Sequence, residues 1–356
     1  MKKNNIYVDI NVIQTVPASN INRDDTGAPK SCIYGGVTRS RVSSQSWKRA
    51  MRLAFKNMLP DEAVGVRTKK IVSMVEDELR KITPELTDKE LEKKSMTALT
   101  NAGLKLKNAQ VGTDALTFMS RKQAQKLAEL AAAGETDKKA YKAALAGEPS
   151  IDMALFGRMV ASDPSLNYDA ACQVAHAVST HEVQTEFDYF TAVDDLSADD
   201  TAGAGHLGTS EFNSSTMYRY ATVNIKELYR SLGLETPDAV TAFAEAFITS
   251  MPTGKQNSYA NDTLPDGVYI AIRTDRPVSL VSAFEKPVLP SDQGYVERSL
   301  EKMADYAEKC TDYVDKPYAS FVIGKGLEAL GQPERLPEVL KQLRQTVAEL
   351  LPGGEQ

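Results

Sequence analysis

Seven cations, Lys30, Arg39, Arg41, Lys48, Arg49, Arg52 and Lys56, lie between Thr26 and Pro60 with no Asp or Glu among them. The 356-residue chain carries a net charge of -6, so without those seven charges the remainder stands at -13. A stretch of one sign in a chain of the opposite sign marks a localised anion site. A polyphosphate backbone suits it best, because each Lys or Arg neutralises one phosphate and releases condensed counterion. Gln45 falls in the first turn of the helix this stretch predicts, beside free backbone N–H groups that also attract phosphate. Lys138, Lys139 and Lys142 form a second, smaller basic patch on a short helix with Tyr141 and Leu145.

Carboxylates, aromatics and glycines of the chain offer other chemistry. Asp24 and Asp25, with Asp194 and Asp195, are conceivable metal ligands for phosphodiester cleavage. Adjacent aspartates in turns are far more often caps, so a metal-dependent ribonuclease using Asp24 and Asp25 is the alternative reading, and the leading one is a non-catalytic binder. Tyr189 and Phe190 precede an acidic loop (Asp194, Asp195, Asp199, Asp200); aromatics commonly bury in cores, but at the base of a mobile loop they can equally stack on or wedge between bases. Gly203-Ala204-Gly205-His206-Leu207-Gly208 satisfies GxGxxG, but acidic loop residues precede it and a strand follows, so it is read as flexible loop glycine rather than a dinucleotide site. Three cysteines and three histidines, none in a CxxC or HxxxH pair, make a structural zinc site improbable and no cofactor is expected. His176 and His181 read as packing or hydrogen-bonding residues. The odd, widely spaced cysteines agree with a reducing cytoplasm. No apolar run approaches a membrane span, and residues 6–16 carry Asp9, Asn11 and Gln14, unlike a signal sequence.

The elements that must hold these residues follow from periodicity. Ile6, Val8, Ile10 and Val12 alternate with polar residues and Tyr7, which predicts a first strand buried on one face. Ser43 and Ser44 precede Trp47, Ala50, Met51, Ala54, Phe55 and Met58 at helical spacing, so residues 43–58 are a helix with Lys48, Arg52 and Lys56 at i, i+4 and i+8 away from the apolar stripe and Arg49 flanking them. Helical signals run from about Val64 to Gly147, with a stripe of Ile71, Val72, Val75 and Leu79 and capping boxes at Thr87/Glu90 and Ser120/Gln123. Residues 151–161 predict a strand, the Ala-rich residues 169–181 a packed helix, and residues 182–212 an extended loop. Strands at 218–225 and 268–272 flank a helix at 237–251. The order strand, helix, insertion, strand, helix, strand predicts an α+β, ferredoxin-like sheet of the kind used by RNA-recognition domains.

Ordered motif blocks then carry a resemblance. Asn22-Arg23-Asp24-Asp25, Tyr34-Gly35-Gly36, Arg41-Val42-Ser43-Ser44-Gln45-Ser46 and Lys48-Arg49-Ala50 are followed by Leu155-Phe156-Gly157-Arg158-Met159, Ala175-His176-Ala177 with Thr180-His181, and Phe190-Thr191-Ala192-Val193-Asp194-Asp195. His206-Leu207-Gly208-Thr209 with Glu211-Phe212, Tyr218-Arg219-Tyr220-Ala221, Lys255-Gln256 and Ala283-Phe284-Glu285-Lys286 complete the series. Together they resemble CasC, the backbone subunit of the type I-E CRISPR Cascade complex, up to about residue 287. The resemblance implies a modified RRM palm (1–60, with the basic helix, and 216–356), a helical finger insertion (61–165), a palm-linked helix (166–185) and a thumb loop (186–215). It implies copies stacked along a CRISPR guide RNA as a helical filament in the cytoplasm, with other Cascade subunits and target DNA as partners, no membrane and no catalysis. Arg23, Lys30, Arg41, Gln45, Lys48, Arg49, Arg52, Lys255 and Gln256 would hold the guide, and Tyr189, Phe190, His206 and Leu207 would kink it from the thumb, a Tyr at 189 replacing the family's Trp. Lys138, Lys139 and Lys142 would meet target DNA.

Overall fold

The structure, a computed structural model, describes residues 5–110, 112–160, 163–192 and 206–352, with the backbone alone at His206 and Leu207. Asp194, Asp195, Asp199, Asp200 and Gly203–Gly205 lie outside the described residues. The chain divides into two compact units, residues 1–51, 174–222 and 243–346, and residues 52–173, 223–242 and 347–356.

The first unit is built on a nine-stranded sheet. Its strands are β1 (Tyr7–Ser19), β2 (Ser31–Tyr34), β3 (Val37–Val42), β4 (Cys172–Val174), β5 (Ala177–Ser179), β6 (Glu186–Ala192), β7 (His206–Asn224), β8 (Gly267–Arg273) and β9 (Ala319–Ile323). They run in the order β9-β8-β1-β7-β5-β3-β2, with β4 and β6 also paired to β7. β1 pairs antiparallel with β8 from Tyr7↔Arg273 to Ile13↔Gly267.

β1 departs from expectation on its second face. Val8, Ile10 and Val12 are buried as their alternation predicts, but so are Asp9, Asn11 and Gln14. Their buried polar atoms are matched: Asp9 Oδ1 accepts from Tyr220 Oη at 2.9 Å, its Oδ2 from Val278 N at 2.8 Å, and Asn11 Oδ1 from Tyr218 Oη at 2.7 Å. Burial pushes the Asp9 carboxyl up to about 6. Around this network Ile13, Tyr218, Tyr269, Phe284, Leu300, Met303 and Val322 form an apolar cluster with the helix Val296–Lys309.

The second unit is mainly helical. Ile71, Val72, Val75 and Leu79 of the helix Ile71–Ile82 are all fully buried, packed with Leu91, Leu99, Leu127 and Tyr141. Both predicted capping boxes form, at Thr87 with Glu90 and at Ser120 with Gln123. Arg158 is buried and donates to the carbonyls of Leu166, Leu145 and Phe118, so this motif residue is a clamp on the unit's own backbone.

Three expectations are corrected. Residues 151–161 are not a strand: Ile151–Phe156 is a helix, ended by Gly157 at φ 79°, a conformation that needs no Cβ and brings the backbone against Tyr168 O. The palm-linked helix at 166–185 is replaced by the strands β4 and β5, whose small residues pair into the sheet. The thumb is not a loop in its described part: β6 and the start of β7 form an antiparallel ribbon from Glu186↔Phe212 to Ala192↔His206.

Candidate nucleic-acid interface

The basic helix, Ser44–Met58, is set on the first unit by its apolar stripe. Trp47, the chain's single tryptophan, lies 3.8 Å under the buried Arg219 guanidinium, whose other aromatic neighbour is Phe247 at 4.6 Å. Arg219 also donates to Gln14 Oε1 and Phe247 O, and burial lowers it to about 9. On the helix surface Gln45 and Arg49 are exposed and Lys48 is half-buried. The division between units falls after Met51, and in the second unit Lys56 is exposed.

Not every cation of the acid-free stretch faces outward. Arg39 is fully buried and donates to Ser179 O and Phe284 O, both at 2.8 Å, and to Tyr34 O at 3.1 Å. Arg52, expected to hold the guide, has a partner within its own unit. Its Nε meets the fully buried Asp152 carboxylate at 3.0 Å and its guanidinium lies 4.6 Å over Phe118. Asp152 also accepts from Gly65 N and Ser150 Oγ, so removing Arg52 strands a buried anion.

The loop before β2 is tied to the start of the basic helix. Asn22 Oδ1 accepts from Ser43 N at 2.8 Å, while Lys30 N donates to Asn22 O and Arg41 N to Lys30 O, both at 2.9 Å. Arg23 is exposed and Lys30 half-buried there. Asp24 Oδ1 accepts from Thr26 Oγ1 at 2.7 Å, Thr26 N at 2.9 Å and Ala28 N at 3.0 Å. Those bonds, the Thr26 hydroxyl first, hold its carboxyl below the ordinary range. The carboxylate organises the turn. Among the described residues no group of three or more His, Cys, Asp or Glu gathers as a metal site. Arg41 Nη1 lies 3.0 Å from His176 Nδ1, and burial, with Arg41 and Lys30 nearby, keeps His176 below its usual value.

Lys255 and Gln256 belong to the same neighbourhood. Gly254 packs so closely that a Cβ would lie 2.3 Å from Ile21 O, which brings Lys255, at φ 48°, and the short helix Gln256–Tyr259 beside the Asn22–Arg23 turn. Tyr259 reaches the ribbon, its Oη 3.5 Å from Ser210 Oγ and its ring 5.9 Å from Phe212, while Asn20 Nδ2 donates to Glu211 O at 2.8 Å. The helix start, the turn, Arg41 and the ribbon base are thus joined within one unit.

The ribbon separates the predicted aromatic pair. Successive strand residues point to opposite faces, so Tyr189 and Phe190 lie on opposite sides of the ribbon. Phe190 lies over Gly208, where a Cβ would sit 2.4 Å from the ring. Tyr189 shares its face with Phe187, which sequence reasoning missed, and both are 67 % exposed. Their spacing of two was the available signal. His206 and Leu207 fall in the opposing strand, paired with Ala192 and Thr191. In the second unit Lys138 and Lys139 are exposed at the start of the helix Lys138–Ala146, whereas Lys142 pairs with Asp163 at 2.7 Å and holds that carboxyl down to about 2.

No curated protein matches the chain. Solved chains do, among them two from CRISPR surveillance complexes. One, from a "CRISPR RNA-guided surveillance complex, pre-nicking", is 35 % identical, with 96 % of this chain and all of that one covered and a TM-score of 0.83. Another, from a "CRISPR RNA-guided surveillance complex", is 32 % identical over 96 % of this chain and 99 % of its own, with a TM-score of 0.63. The family described as CT1975-like protein matches residues 8–350. With this span matched, the α+β chain, its cationic turn and helix and its aromatic ribbon belong to the CT1975-like family.

Proposed function

We propose that this protein is a non-catalytic backbone subunit of a type I-E Cascade surveillance complex, which polymerises along a CRISPR guide RNA and presents it for pairing with target DNA. The observation that carries the reading is the convergence of Arg23, Lys30, Arg41, Gln45, Lys48, Arg49, Lys255 and Gln256 around one turn and one helix start, beside a ribbon with two outward aromatics. Cations on phosphates bind any sequence, as interchangeable guides require, while base pairing supplies specificity. The similarity to chains of RNA-guided surveillance complexes supports the same assignment. The strand order, with β1 and β7 central between β8 and β5, supports reading the sheet as a modified RRM palm and the ribbon as its thumb. Lys138 and Lys139 take the target-DNA role, and the complex works in the cytoplasm without a cofactor.

Native purification followed by sizing of bound nucleic acid tests this: RNA of defined length together with sister subunits is expected. A nucleic-acid-free protein that also ignores added RNA would sink the reading. Incubation of the complex with complementary RNA and magnesium is expected to leave that RNA intact, and cleavage lost in Asp24→Ala would reverse the non-catalytic assignment.

A further inference from the structure

Arg41 of β3 is opposite Val178 of β5, and His176 lies two residues before Val178, just ahead of that strand. Arg41 Nε donates to Ser31 O at 3.1 Å, and Nη1 lies 3.0 Å from His176 Nδ1. A guanidinium has no acceptor, so Nδ1 holds the lone pair and the ring proton of the neutral imidazole sits on Nε2. Two bonds in different directions fix the plane of the guanidinium. Three of its five N–H groups are left by these bonds, already oriented for an incoming anion at little further cost in side-chain entropy.

We propose that His176 is a positioning residue for Arg41, holding its guanidinium as a preformed fork for a phosphate of the guide RNA. The inference rests on the RNA-binding reading above. Lys30 stands beside the fork through the Arg41 N to Lys30 O bond, so the pair Lys30 and Arg41 supplies charge and His176 supplies geometry. An imidazole suits this place where a carboxylate would not, because an acid would orient Arg41 equally well but cancel its charge. The acid-free composition of residues 26–60 follows the same logic on the opposite strand.

The test titrates full-length protein with a fluorescent single-stranded oligouridylate over a range of salt. It compares wild type, His176→Leu and His176→Asn, each with and without Arg41→Ala. His176→Leu is expected to weaken binding about tenfold and to lower the salt slope by about 0.7, the loss of one phosphate contact. His176→Asn, whose Oδ1 takes the Arg41 proton in place of Nδ1, is expected to retain most of the affinity. With Arg41→Ala already present, His176→Leu is expected to change nothing more. Wild-type-like binding by His176→Leu, an equal loss in the Leu and Asn variants, or a loss that persists without Arg41 would overturn the positioning role and leave RNA binding standing. A wild-type protein that ignores the oligouridylate at every salt would overturn both.

Discussion

Arg49 and Arg52 are three residues apart on one helix, yet one faces solvent and the other closes on a buried carboxylate. Their substitutions should therefore separate two effects. Arg49→Ala is expected to leave thermal stability unchanged while weakening RNA binding for all sequences and reducing the salt slope by about 0.7. Arg52→Ala is expected to cost about 3 kcal/mol in denaturant unfolding, because Asp152 loses its partner in the interior. Asp9 gives a second residue-scale test. Its folded value of about 6 lies above the ordinary 3.8, so the native state holds its proton more tightly than the unfolded chain. The stability gained from that proton is full below about 3.8 and is lost as pH rises through about 6. Asp9→Asn removes this dependence. The stability difference between variant and wild type should shift against the variant by on the order of 1 kcal/mol as pH falls from about 7 to about 5. A pH-independent difference in chemical denaturation would contradict the assignment.

At the scale of elements, the ribbon assigns different work to its two faces. Phe187 and Tyr189 are outward and unencumbered by a cross-strand ring, whereas Phe190 covers Gly208. Phe187→Ser and Tyr189→Ser should each weaken RNA binding by about 1 kcal/mol or more with no change in salt slope, since stacking releases no counterion. Phe190→Ala should instead act on the ribbon itself, seen as faster amide exchange across Glu186–Ala192 with a smaller change in affinity. Reversal of that ranking would place the base-facing surface on the other side. The basic helix is held more firmly. Trp47 under Arg219 anchors its first turns, so its cations are presented on a rigid element while the aromatics ride on a two-stranded one.

For the whole molecule, a backbone subunit makes a quantitative demand. The number of copies bound should rise in steps with RNA length, measured as particle mass on RNAs of increasing length. A fixed stoichiometry would exclude filament growth. Much of the fold was legible from residue order: the first strand, the basic helix, the stripe of Ile71–Leu79 and both capping boxes follow from periodicity and local hydrogen bonding. Residues 151–185 were not legible. Short runs of Ala, Val and Ser satisfy helix and strand patterns alike, and only pairing with β7 and β3 selects strands at 172–174 and 177–179. The ribbon was hidden because all of β6 is exposed, so no burial alternation marks it.

The sequence by itself determined that a cluster of cations without acids stands near the amino terminus on an amphipathic helix, because charge and helical period are properties of neighbouring residues. Only the tertiary structure decided which cations also serve the fold. Arg52 meets a carboxylate 100 positions away and Arg39 a carbonyl 140 positions away, and such partners are chosen by folding and not by spacing along the chain.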